Sequence, residues 1–91
     1  MFSEMRVFED GAIMEIRIWS APVPPPPSRH GYKYSLYYGQ AGRRLVGFDN
    51  ERGKGDHKHI ADRETACAFV SISALLADFR AEVEAVRGKP L

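Results

Sequence analysis

The run Asp49-Asn50-Glu51-Arg52-Gly53-Lys54-Gly55-Asp56-His57-Lys58-His59 gathers most of the residue types that move protons or bind phosphate in this 91-residue chain. Histidine is the natural general acid or base near neutral pH, so His57 and His59 lead. If the chain from Asp56 onward is extended, strand alternation sends both imidazoles to one side, about 7 Å apart. That separation can bracket a phosphodiester: one ring takes the 2′-hydroxyl proton and the other protonates the leaving oxygen. Arg52, Lys54 and Lys58 supply cations for a phosphate or for charge growing on it. Gly53 and Gly55 let the backbone approach a ligand closely. Asp56 or Asp49 can orient a histidine through its second ring nitrogen. The predicted catalytic set is therefore His57, His59, Lys54, Arg52 and Asp56. The predicted binding set is Asp49, Asn50, Glu51, Gly53, Gly55, Lys58 and Arg63.

Two other uses of the same run compete with this one. Imidazoles at i and i+2 can share a metal ion, with Asp56 or Asp49 as a third ligand and His30 as a distant one. That spacing is weakly specific and no second His or Cys pair completes it, so the leading reading takes no metal and no cofactor. The plainer alternative is a solvated polar loop whose charges pair with one another. Nucleotide hydrolysis has no support, because Gly53-Lys54-Gly55 lacks the P-loop frame and no helical pattern follows directly. No G-x-S-x-G or Cys/His arrangement offers a nucleophile.

Composition sets the surroundings. The overall charge of +1 conceals an asymmetry: residues 29–63 carry eight Lys or Arg against four Asp or Glu, and the rest carries five against eight. The basic middle favours an anionic partner such as phosphate or nucleic acid. The single cysteine, Cys67, excludes an internal disulfide and fits a reducing compartment. Its apolar neighbours suit a buried structural thiol. No apolar run approaches a membrane span and no secretory h-region opens the chain, so a cytoplasmic location is expected.

The elements that would position these residues follow from periodicity. Residues 2–20 read as a β-hairpin turning at Glu9-Asp10-Gly11, with Met14, Ile16 and Ile18 on one face. Residues 21–30 hold the run Pro22-Val23-Pro24-Pro25-Pro26-Pro27, a stiff polyproline connector that also carries SH3-ligand spacing. Residues 31–49 form a second hairpin with Tyr32, Tyr34, Leu36 and Tyr38 sharing a face. Aromatics at that period are commonly packing pairs, although they could also stack bases. Residues 50–64 read as a charged loop and 66–70 as a short strand. Over 72–87, Ile72, Leu75, Leu76, Phe79, Val83 and Val86 mark one side of a helix, capped by Ser71 or Ser73 and ended by Gly88 and Pro90. The expected fold is one α+β domain: a mostly antiparallel meander of four to five strands packed by a C-terminal helix.

One stretch is distinctive enough to suggest a family. Val46-Gly47-Phe48 running into Asp49 to His59, followed by Phe69-Val70-Ser71 and Leu75-Leu76-Ala77-Asp78-Phe79, resembles the TumE-type toxins of bacterial type II toxin–antitoxin pairs. The resemblance spans roughly the second two-thirds of the chain; the N-terminal hairpin is similar only in character, and the proline run departs from it. It implies a small cytoplasmic protein that arrests growth and is neutralised by a helix-turn-helix antitoxin encoded beside it. It transfers no catalytic residues. Joined to the residue chemistry, the leading reading is a toxin that acts on RNA as a metal-independent ribonuclease. The alternatives are a non-catalytic module binding nucleic acid or protein, and a metal-dependent or group-transferring enzyme. Open sheet edges could pair two copies or accept an antitoxin strand.

Overall fold

A computed structural model describes residues 1–20, 30–50, 53 and 55–91. Six strands and one helix follow in order: β1 (Phe2–Val7), β2 (Ile13–Ser20), β3 (Tyr32–Gln40), β4 (Arg43–Asp49), β5 (His57–Ile60), β6 (Arg63–Ala66) and α1 (Ile72–Arg87). The strands form one antiparallel sheet whose spatial order is the chain order, β1 to β6. The fold is α+β as expected, with six strands in place of four or five. The proline run 22–27 lies outside the described residues.

Period-two alternation builds the helix-facing side of the sheet. Met14, Ile16 and Ile18 of β2, Tyr34, Leu36 and Tyr38 of β3, and Val46 and Phe48 of β4 are all buried there. Tyr34 and Tyr38 are each only 2% exposed, so these two tyrosines are packing residues and present no stacking platform. From α1, Leu75, Phe79 and Val83 close the core, with the Phe79 ring edge-on to Phe48 at 5.8 Å. The helix starts where Ser71 Oγ accepts the Ala74 amide at 3.0 Å, and it ends at Gly88, whose φ of +75° permits the N–H to reach Glu84 O. In its last turn Arg87 donates to the Tyr38 hydroxyl at 2.9 Å, lies over the Phe8 ring at 4.0 Å and reaches Asp10 at 3.3 Å. One side chain thus ties the helix end to the first turn of the sheet.

Two expectations about the second half are corrected. The stretch 50–64 is not loop throughout, because His57–Ile60 and Arg63–Ala66 pair as a hairpin with His59 opposite Glu64 and Ile60 opposite Arg63. Its turn is Ala61-Asp62, with Ala61 at φ +54° and its amide bonded to Leu45 O at 3.0 Å. The short strand expected at 66–70 is absent beyond Ala66. Instead the Cys67 amide bonds Asp56 O at 3.0 Å, and Phe69 lies flat on the His30 ring at a centroid distance of 3.8 Å.

Candidate functional site

β5 has two chemically distinct sides. Lys58 lies opposite Phe48 and Ile60 opposite Val46, two core residues, so these side chains face the helix layer. His57 lies opposite Asp49 and His59 opposite Gly47, and all four project from the helix-free face. The expectation that extension would put both imidazoles on one side holds: their centroids are 5.0 Å apart, edge to face.

Both nitrogens of His57 face groups inside the fold. The residue is 3% exposed. Its Nδ1 lies 2.9 Å from Gly55 O. A carbonyl only accepts, so Nδ1 carries the proton. Gly55 sits at φ +74°, a left-handed backbone conformation that glycine adopts without steric cost, just ahead of the strand. Nε2 is 2.8 Å from Asp49 Oδ1, yet it is buried and makes no hydrogen bond. Glu64, reaching across from β6, places its carboxylate 3.8 Å from His57 Nε2 and 4.0 Å from His59 Nδ1. Burial and the nearby Arg44 guanidinium lower the His59 pKa from its ordinary 6.5, against a smaller opposing pull from Glu64. Donor atoms of Asp49, His57 and His59 all fall within 4.8 Å of one another.

The other predicted site residues scatter. Asp56 does not orient His57. Its Oδ2 accepts the Tyr34 hydroxyl at 2.7 Å and lies 2.8 Å from His30 Nε2. Burial and that bond raise the Tyr34 pKa, which keeps the phenol protonated as a donor. Asn50 is wholly buried: Oδ1 accepts the Tyr34 amide at 3.0 Å and Nδ2 donates to Tyr32 O at 2.8 Å. Its amide thereby continues the β3–β4 ladder beyond the end of β4, and it is a structural clamp. Lys58 and Arg63 line a cleft with Glu82 of α1 and do not join the histidines. Gly53 is exposed at φ +86°. Glu51, Arg52 and Lys54 lie outside the described residues.

Two members of the histidine cluster escaped the sequence reading. Arg44 folds over Gly47, where a Cβ would meet its Cδ at 2.8 Å, and so lies beside the strand position paired with His59. The available signal was a glycine inside a strand, which often marks a close approach. Glu64 carried no signal, because its place depends on the unanticipated hairpin.

A family model described as Toxin TumE matches residues 3–87. The chain belongs to the TumE toxin family. The match takes in the N-terminal hairpin, so the kinship extends further than the sequence resemblance indicated. Searches of curated proteins and of solved structures return no match. As a TumE-family member the chain is a toxin component, which implies an antitoxin partner. No helix among the described residues is long and apolar enough to cross a membrane.

Proposed function

We propose that this TumE-family toxin arrests growth by cutting RNA in the cytoplasm, with the helix-free face around His57 and His59 as its active surface. One observation carries the reading: two imidazoles, one of them fixed by a backbone carbonyl and set beside a carboxylate, stand 5.0 Å apart on the helix-free face of the sheet. His59 is the working imidazole, since its side chain is 14% exposed against 4% for His57. As general base it takes the proton of a ribose 2′-hydroxyl, and the oxygen attacks the adjacent phosphorus. The imidazolium then returns that proton to the departing 5′-oxygen, leaving a 2′,3′-cyclic phosphate. Arg44 offsets the charge that grows on the phosphoryl oxygens. The partner on this reading is a helix-turn-helix antitoxin encoded alongside. The two open edges, β1 and β6, are where its strand or a second copy of the chain would add.

The test is direct. Purified protein should cleave single-stranded cellular RNA to cyclic-phosphate ends, and 2′-deoxy substrates should resist. His59→Gln should abolish both cleavage and growth arrest while the circular dichroism spectrum is unchanged. Wild-type protein that arrests growth yet leaves all RNA intact would refute the reading.

A further inference from the structure

The histidine cluster gathers carboxylates as well as imidazoles. Among the described residues, two carboxylates, Asp49 and Glu64, stand within 4.0 Å of the His57 and His59 ring nitrogens. While Nδ1–H is donated to Gly55 O, the buried His57 Nε2 stands 2.8 Å from Asp49 Oδ1 without a hydrogen bond. A cation shared by the ring nitrogen and the carboxylate would satisfy both atoms at once. A proton on Nε2 would serve that one contact only.

We propose that Asp49, His57 and His59 bind one divalent cation of the zinc class, with Glu64 in reach as a fourth ligand. The inference concerns the face assigned to RNA cleavage but does not depend on cleavage. Imidazole paired with carboxylate is a zinc-type donor set, whereas calcium and magnesium favour all-oxygen shells. The His57 Nδ1–H bond to a backbone carbonyl is the support that fixes a ligating ring's tautomer and turns its other nitrogen to the metal. A buried Nε2 without a hydrogen bond is then the ligand atom. Zinc ligands at about 2.1 Å in a tetrahedron sit about 3.4 Å apart. The Asp49–His57 pair, at 2.8 Å, must open by a fraction of an ångström, and spacings of up to 4.8 Å in the trio must close by over an ångström. Rotation of the partly exposed Asp49 and His59 side chains supplies a movement of that size.

Full-length protein, stripped with chelator and dialysed, is titrated with zinc chloride by calorimetry and separately with cobalt chloride by visible absorption. One zinc per chain and cobalt bands without a thiolate charge-transfer feature are expected. Cys67→Ser should leave both unchanged. Asp49→Asn and His59→Gln should each weaken zinc binding ~10-fold or more, with circular dichroism confirming the fold. His57→Gln is the stricter variant but risks misfolding, so the other two carry the comparison. Absence of stoichiometric binding, or binding unaffected by Asp49→Asn and His59→Gln, would overturn the proposal. RNA cleavage that persists in chelator alongside normal zinc binding would leave the site standing and separate it from the catalytic reading.

Discussion

Replacing Asn50 with alanine tests whether this residue of the charged run belongs to the scaffold or to a ligand site. Asn50 is completely buried and gives both halves of its amide to the backbone of β3. The Tyr34 amide, in a residue 2% exposed, would be left without a partner. Such an orphan costs about 1–3 kcal/mol, and the carbonyl of the more exposed Tyr32, which water can reach, about 1 kcal/mol more. The expected loss is therefore about 2–4 kcal/mol, a large share of the roughly 5–14 kcal/mol available to a chain of this length. With a urea slope of about 1 kcal/mol/M, the midpoint should fall by about 2–4 M, read from circular dichroism or from the lone Trp19. Asn50→Asp retains the acceptor and loses the donor, so its loss should come from the Tyr32 side and from burying charge. A midpoint shift below about 0.5 M combined with abolished toxicity would refute the structural assignment and return Asn50 to the ligand site.

Two further outcomes follow from the helix end and the first turn. Gly88→Ala should cost about 1 kcal/mol in urea unfolding, entirely from the left-handed backbone at φ +75°, since open space surrounds the added methyl; an unchanged midpoint would show that another cap takes over. The Asp10 carboxyl is held below its ordinary 3.8, first by the Ala12 amide and further by Arg87. Its folded value therefore lies below its unfolded one, and its contribution is present above about pH 3.8 and disappears as pH falls through the folded value. Asp10→Asn should be less stable than wild type at pH 7, and the gap should close on acidification below that point; a constant gap would contradict the assignment.

Much of this fold was legible because apolar residues set it. The alternation of Met14, Ile16 and Ile18 and the helical spacing of Leu75, Phe79 and Val83 each name a buried face, and all six are buried. Strands β5 and β6 were not legible, since His57-Lys58-His59 and Arg63-Glu64-Thr65 carry few strand-forming side chains and their turn uses Ala61 where glycine or asparagine would announce it. Backbone pairing with β4 supplies what propensity does not. The candidate site was half legible for the same reason. Alternation placed His57 and His59 together, but local sequence could not say that Asp56 would turn to Tyr34 and His30 while Asp49 met His57. Those choices depend on which strand lies alongside, and adjacency in sequence, which favoured Asp56, was a poor guide to it.

Because spatial strand order repeats chain order, each new strand of the sheet can zip onto the one made just before it, and the longest stretch between strands is residues 21–31. Among the described residues, the main shield for the greasy side of that ribbon is α1, which follows every strand in chain order. Until it emerges, a nascent chain presents a broad sticky surface, so any ribosome-associated chaperone meets it then, before the finished toxin exists.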